Sequence, residues 1–407
     1  MITHSTKITQ GFISGHDVEI VMDLGQHAYA DTFIGEDQLN LSEPVFPLQV
    51  ALDRNSGHLQ LAYVSTAEDR YNLYQYSYTS SNSAVSRRHW DQFAEDVMLK
   101  HSSQGLIVEI GSNDGYLLSR FQTYNKKILG IDSSAEMCRI AQHNGVLTRQ
   151  AVFDDHTADA VINNHGTADL VIANNVLNHA NDPVAFVRAV TKILSPSGVF
   201  VFEVPYWLEM MQCDRFPDMI YHEHVSYFTV RSAWNLMKQA GLEIVDFQIV
   251  DYHGGSLRIT ARHDRGSEIP VEVNQAMHRE CNIGLFDRDF YHQVMRGLTQ
   301  QKTRWLRDFY QTLSNEPDAV VIGVGAAAKA NTWLTWHGLD RSVIRAITDA
   351  STHKQGKYTP LTRIPIVDDH EFANHSSPYA LILSWNIGES LRQALLAINP
   401  NTRFISQ

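Results

Sequence analysis

From Leu106 onward the chain alternates short apolar runs with amphipathic stretches, and this alternation restricts the fold more than any other feature. Leu106–Ile110 (LIVEI) leads into Gly111–Gly115 (GSNDG) and a helix-like stretch from Tyr116 to Tyr124. Ile128–Asp132, Asp169–Asn174 and Val199–Val204 repeat the strand pattern, with helices predicted from Ala135 and near Pro183–Leu194. Strands separated by crossover helices form a parallel sheet covered on both faces. After a helix over Ser232–Gly241, Glu243–Val250 and Ser256–Arg262 follow one another with no helix between them, which predicts an antiparallel hairpin at the sheet's end. Residues 264 to about 316 read as polar helix. A second strand-plus-glycine pattern begins at Ala319–Gly325 (AVVIGVG) and continues through Ile344–Asp349 and Tyr379–Leu383. Ahead of all this, the first ~90 residues form a mixed module with turns at Leu41–Pro47 and Asp53–Gly57. The expected class is α/β, a central Rossmann-like sheet with a mixed N-terminal module and a smaller C-terminal α/β domain. The expected domains are 1–90, 91–263 and 264–407.

Composition narrows the function. With 407 residues the chain has room for two or three domains, each with its own core. Its net charge of −12 argues against a nucleic-acid binder, which needs a basic surplus. Cys138, Cys213 and Cys281 are odd in number and far apart, so neither a disulfide framework nor a CxxC metal pair is expected. Apolar runs such as Leu106–Val108 and Ala380–Leu383 are strand-length, far short of a membrane span, and Met1–Phe12 lacks a signal layout. A cytoplasmic protein without membrane or nucleic-acid partners is expected, as a monomer.

Four local groups can carry chemistry. In Glu109-Ile-Gly111-Ser-Asn113-Asp-Gly115, glycine lets a ligand approach the backbone, and the helix that follows offers free N–H groups. Asp132 stands 21 residues beyond Gly111, at the end of the next strand, where a carboxylate can accept both hydroxyls of a ribose. A dinucleotide would suit this pair too. However, the turn is not GxGxxG, and a terminal hairpin after parallel strands favours an S-adenosylmethionine methyltransferase over a dehydrogenase. Tyr221-His222-Glu223-His224-Val-Ser-Tyr-Phe228 places two imidazoles, a carboxylate and two phenols on the carboxyl-end rim. Asn174-Asn175-Val-Leu-Asn-His179 reaches the same rim, and Tyr252-His253-Gly-Gly-Ser256 joins the hairpin strands. His-x-His without a distant third ligand is weak as a metal motif, and no metal site is expected.

These pieces also carry a resemblance. VMDLGQHAYADTF (21–33), YQYSYTSSNS (74–83), VEIGSNDGYLL (108–118), NNVLNHANDP (174–183), YHEHVSYFT (221–229), HGGSLRI (253–259), GVGAAAKANT (323–332) and HKQGKYTP (353–360) lie in order over nearly the whole chain. Together the chain resembles the nucleotide-sugar C-methyltransferases, class I S-adenosylmethionine enzymes that methylate a carbon of a dTDP-linked keto-deoxysugar. The resemblance implies that Glu109, Gly111, Asn113, Gly115, Asp132, Asn174 and Asn175 line the cofactor site. It implies Tyr76, His179, Tyr221, Glu223 and His224 at the reacting end. Tyr78, His222, His253, Lys329, Asn331, Lys354 and Lys357 would contact the acceptor, a nucleotide sugar.

One departure is large. The family usually opens with a zinc module held by two cysteine pairs, the second of which would fall near Asp53 and Ser56 and the first before Val21. No cysteine occurs there, so a module held by ordinary packing is expected. Carbon methylation next to a ketone needs a base, donors for the enolate oxygen and an in-line methyl. His224 is the expected base, with Glu223 orienting or polarising a neighbouring imidazole and Tyr221, Tyr76 or His179 as donors. The alternatives are an N- or O-methyltransferase on another small molecule, or a binding protein that has kept the cofactor fold and lost turnover.

Overall fold

Three antiparallel strands organise the N-terminal module: β1 (Glu19–His27), β2 (Phe46–Asp53) and β3 (His58–Leu61). They belong to a computed structural model that describes residues 5–66, 79–81, 83–101, 105–212, 216–252 and 254–405. Tyr76, Tyr78 and His253 lie outside the described residues. Helix α1 (Ala84–Lys100) is capped by Ser83, whose side chain accepts the Ser86 N–H, and packs Trp90, Phe93, Ala94 and Val97 inward. It runs across residue 90 and shares a core with Ile107, Leu118 and Val201, so it is built into the central domain.

The central sheet follows in chain order: β4 (Leu106–Ile110), α2 (Tyr116–Gln122), β5 (Lys127–Asp132), α3 (Ala135–His143), β6 (Thr148–Gln150), α4 (Asp155–His165), β7 (Ala168–Asn174), α5 (Pro183–Ile193) and β8 (Leu194–Pro205). Ser134, Asp154 and Asp182 cap α3, α4 and α5, which is why each helix starts where it does. After β9 (Ser226–Tyr227) and α6 (Val230–Gln239), β10 (Leu242–Val250) and β11 (Ser256–His263) close the sheet as an antiparallel hairpin. The spatial order is β10-β11-β8-β7-β4-β5-β6, with five parallel strands. This is the class I S-adenosylmethionine methyltransferase sheet. Chain order reverses between β4 and β7, and in such sheets the ligand crevice lies at that point.

Strand β9 does not join this sheet. Ser226 and Tyr227 pair antiparallel with Gln60 and Leu59, so the segment after His224 is an edge strand of the N-terminal sheet. One continuous core accordingly includes Leu52 and Leu59 of the module and Val204, Trp207 and Phe228 of the central domain.

Helices α7 (Val271–Asn282) and α8 (Arg288–Asn315) lead to the C-terminal domain: β12 (Val321–Val324), α9 (Ala328–His337), β13 (Ala346–Thr348), β14 (Ile366–Val367), β15 (Tyr379–Ile382), α10 (Gly388–Ile398) and β16 (Arg403–Phe404). Its parallel sheet has the order β14-β13-β12-β15-β16 over its own core, which includes Trp333, Ile347 and Leu381. The N-terminal module reaches this domain through Ile34 and Tyr358, whose backbones exchange two hydrogen bonds of 3.0 and 2.9 Å.

The cysteine-free module departs from the packing-only expectation. The turns Gly11–Ser14 and Asp53–Ser56 face each other across a buried carboxylate, that of Asp53. Its oxygens accept from Ser14 N (3.2 Å), Ser14 Oγ (2.8 Å), Asn55 N (3.1 Å), Ser56 N (3.3 Å) and Ser56 Oγ (2.5 Å). Gly11 is required here: a Cβ on it would fall 2.3 Å from Asp53 Oδ2. This donor set does not fit zinc, because it holds a single charge and both carboxylate oxygens are already hydrogen-bonded. Among the described residues no group of three or more His, Cys, Asp or Glu is placed to hold a metal ion.

Candidate active site

Strand register puts three polar side chains on one face at the crevice. Glu109 is opposite Gly130 on one side and Ile172 on the other. Asp132 and Asn174 lie two residues beyond those partners, so side-chain alternation aims all three the same way. The chain then turns at Gly111 (φ 70°), where a Cβ would fall 2.3 Å from Val176 Cγ2. Asn113 (φ 50°) donates its N–H to Asp132 Oδ2 at 2.9 Å, while Asp132 Oδ1 accepts from Ser134 N at 2.8 Å. Gly115 serves packing: its Cβ would meet Ala141 and Val146 at 3.0 Å.

Glu109 is buried, and Oε2 has no hydrogen-bond partner among the described residues. Burial, reinforced by the negative charges of Asp114 and Asp132, pushes its carboxyl well above the ordinary range. Burial also raises Asp132, against the two N–H groups that favour its charged form. Asn174 Oδ1 accepts from Glu203 N at 3.0 Å, and its buried Nδ2 has no partner among the described residues. Asn175 (φ 54°) donates its N–H to Glu203 O at 2.8 Å. A buried acceptor and a buried donor left open on one crevice fit a ligand bearing both cationic and carboxylate groups, as S-adenosylmethionine does.

Asp114, quoted in the motif without a role, holds the loop against the chain before α1. It accepts from Ser80 Oγ (2.7 Å), Ser81 N (3.1 Å) and Ser81 Oγ (2.6 Å), and Asn113 Oδ1 accepts from Ser80 N (2.9 Å). The hydroxyl-rich run Thr79–Ser86 was the available signal for this clasp.

A second cluster forms where the helical turn Leu177–His179, after β7, meets β9. Val225 donates to Asn178 O (2.9 Å) and accepts from Leu61 N (3.0 Å), fixing the loop before it. His179 Nδ1 bonds to the carbonyl of Glu223 at 2.7 Å, so its proton sits at Nδ1 and Nε2 is the basic nitrogen. The His179 and His224 rings lie edge to face at 4.8 Å, and Tyr221 OH is 2.7 Å from His224 Nε2. His222 turns the other way, packing on Tyr29 and Phe46 at 5.8 and 5.9 Å.

Glu223 does not orient an imidazole with its carboxylate, contrary to the expectation. Oε1 accepts the Asp31 N–H at 2.9 Å, and Oε2 is buried without a partner among the described residues. It is the main-chain carbonyl of Glu223 that holds a histidine. Burial lifts the Glu223 carboxyl to about 7, although the Asp31 amide pulls it down.

The C-terminal residues separate. Lys354 Nζ donates to Ala326 O (2.8 Å), lies 3.9 Å from Asp349 Oδ2 and sits 5.0 Å over the Phe33 ring. With Lys357 it faces the side chain of Asp31, which burial raises and both lysines lower. Lys329 is elsewhere, donating to Asn386 Oδ1 (2.5 Å) over the Trp385 ring. Asn331 is buried and donates to Ala30 O at 2.6 Å. Sequence reasoning missed Ala30, Asp31 and Glu203; Asp31 stood inside a quoted segment, but nothing local marked it.

Residues 251–407 match the family model described as C-methyltransferase C-terminal domain. The C-methyltransferase NovU of Streptomyces niveus is 29% identical over 378 residues, which cover 92% of this chain and 89% of NovU. A ubiquinone biosynthesis O-methyltransferase of Colwellia psychrerythraea is 21% identical over 176 residues, 40% of this chain and 70% of that protein. Among solved structures, an S-adenosylmethionine-dependent methyltransferase from Clostridium acetobutylicum aligns with a TM-score of 0.35 at 14% identity, over 44% of this chain and 92% of that one. The methyltransferase domain model matches residues 85–246, which contain the whole crevice from Glu109 to Asn175, and the chain is accordingly an S-adenosylmethionine-dependent methyltransferase.

Proposed function

We propose that the protein methylates a carbon beside a ketone, on a dTDP-linked keto-deoxysugar. The observation that carries this reading is the imidazole–phenol cluster of His179, His224 and Tyr221, set near the cofactor crevice. The match to a C-methyltransferase C-terminal domain and the likeness to NovU support it. His224 Nε2 takes the proton from the carbon, and the C–H electron pair moves into the enolate. Tyr221 is the donor for the enolate oxygen, its hydroxyl turning from His224 Nε2 to that oxygen as the imidazole takes the proton, while the Nδ1–H of His179 stays on the Glu223 carbonyl. Bound S-adenosylmethionine supplies the methyl group on a sulfonium, whose sulfur keeps the C–S bonding pair. Lys354 and Lys357 are the cations offered to a diphosphate, and Asp31 beside them is the charge that such an anion displaces.

Incubation with a dTDP-4-keto-deoxysugar in deuterated water tests the reading. The proton beside the ketone should wash out, and a 13C-methyl from labelled cofactor should appear bonded to carbon. Methyl transfer to oxygen or nitrogen without washout would sink it.

The cofactor end makes its own prediction. Because the Glu109 carboxyl is raised, the stability its protonated form contributes is complete below the ordinary carboxylate pKa and lost as pH rises through the folded value. A cationic ligand favours the ionised carboxylate, so S-adenosylmethionine should bind more tightly as pH rises and release a proton. Calorimetry in two buffers of different ionisation enthalpy reads that proton. Glu109→Gln should abolish the release and weaken binding about tenfold or more. Proton release equal to wild type in that variant would refute the assignment.

A further inference from the structure

The resemblance places Asn331 among the acceptor contacts; its Oδ1 is buried without a partner among the described residues, while its amide nitrogen is engaged by the N-terminal module. Asn331 lies on α9 of the C-terminal domain at 2% exposure, and its Nδ2 donates to Ala30 O at 2.6 Å. The nitrogen of that same peptide group, Asp31 N, donates to Glu223 Oε1 at 2.9 Å. The carbonyl and N–H of a trans peptide point in opposite directions, so one rigid plane joins two side chains from different domains. A donor on the carbonyl also polarises the unit and strengthens its N–H as a donor.

The surroundings hold this plane from the C-terminal side. Ile34 and Tyr358 exchange backbone bonds, Glu43 accepts the Leu361 N–H at 3.0 Å, and Glu43 forms an ion pair with Arg363. On the other side, the Asp31 N–H donates to Glu223 Oε1 at 2.9 Å and leads the backbone N–H groups that favour the charged carboxylate, ahead of those of Glu223 itself and Ala30.

We propose that Asn331 is a positioning residue for the Glu223 carboxylate, acting from the C-terminal domain through the Ala30–Asp31 peptide group. This gives the C-terminal domain a part in shaping the reacting end, and its catalytic meaning rests on the reading of Glu223 given above. The charged and titratable groups around Glu223 are Asp31, which faces Lys354, Lys357 and Asp349, and the phenol of Tyr227. On its own loop stand Tyr221, His222 and His224, with His179 on its carbonyl.

The test is carboxyl 13C NMR of the full chain without substrate, the Glu223 signal being assigned with Glu223→Gln. In wild type the signal should titrate near 7. Asn331→Leu removes the donor to Ala30, and Asp31→Pro removes the N–H itself; because Asp31→Pro also removes a carboxylate whose charge raises Glu223, it is read against Asp31→Asn, which removes that charge and keeps the N–H. Asn331→Leu relative to wild type, and Asp31→Pro relative to Asp31→Asn, should each move the midpoint upward by about half a pH unit or more, because the charged form loses a donor. The double variant should move it no further than Asp31→Pro alone. Calorimetry with S-adenosylmethionine checks that each variant keeps its central domain. A midpoint unmoved in either folded variant overturns the proposal, and Asp31→Pro decides it if Asn331→Leu does not fold. Under the reading above, the acid limb of proton washout from the dTDP-keto-deoxysugar should follow the same shift, whereas a merely structural role would lower the rate at every pH. A moving carboxyl signal in a wild-type protein without washout leaves the bridge standing and removes the functional reading. Washout with an unmoved carboxyl signal does the reverse.

Discussion

Replacing Asp53 with alanine should destabilise the protein by about 3–4 kcal/mol, read as a lowered denaturant midpoint. The side chain is fully buried and gathers five donors, two from Ser14 in a turn 39 residues earlier and three from Asn55 and Ser56 in its own turn. Removing it leaves the buried N–H and hydroxyl of Ser56 unsatisfied and returns those of half-buried Ser14 and exposed Asn55 to water, and each unsatisfied buried group costs about 1–3 kcal/mol, less than additively. The loss should spread beyond the module. The Asp53–Gly57 turn is fixed to the central domain by Thr229 Oγ1 on Gly57 O (3.0 Å) and by Asn235 Nδ2 on Ser56 O (2.9 Å). The strand carrying Tyr227 pairs with β3 directly after that turn. Asp53→Asn, which keeps one acceptor oxygen, should fall between wild type and Asp53→Ala. A loss below about 1 kcal/mol in Asp53→Ala would mean that apolar packing alone holds the turns.

His224→Ala should slow proton washout from the keto-deoxysugar by about 10²–10⁴-fold, the range for removal of a positioned general base. Cofactor affinity should change little, because His224 packs against Tyr221 and His179 in the loop cluster. Tyr221→Phe separates two ways of using the pair. If the phenol only steadies the imidazole, washout should fall modestly; if it donates to the enolate oxygen, washout and methylation should fall together. Washout in His224→Ala at the wild-type rate would remove it as the base and leave His179, whose Nε2 is the basic nitrogen, in its place.

Most of the cofactor crevice was legible because its determinants are local. Strand Leu106–Ile110, the turn at Gly111 and the helix from Tyr116 are consecutive, and Asp132 ends the very next strand. The outermost parallel strand, Thr148–Gln150, was not singled out; three residues carry too little periodicity to mark a strand. The imidazole–phenol cluster was legible as a composition but not as a geometry. His222 and His224 sit two apart, where an extended chain would aim them alike. The chain turns between them, so one packs on Tyr29 and the other on Tyr221. Glu223 was expected to serve an imidazole and instead meets the peptide of Asp31, 192 residues earlier.

The sequence by itself determined the α/β class, the order of the strands and the strand–glycine–helix crevice, because apolar period, caps and turn residues act over a few neighbours. Only the tertiary structure decided what holds the cysteine-free module and what holds Glu223. Those depend on Asp53 meeting Ser14 and on Asn331 meeting Ala30 across 301 residues. A buried polar group must find its partner wherever the fold brings one, and that partner leaves no mark in the local pattern.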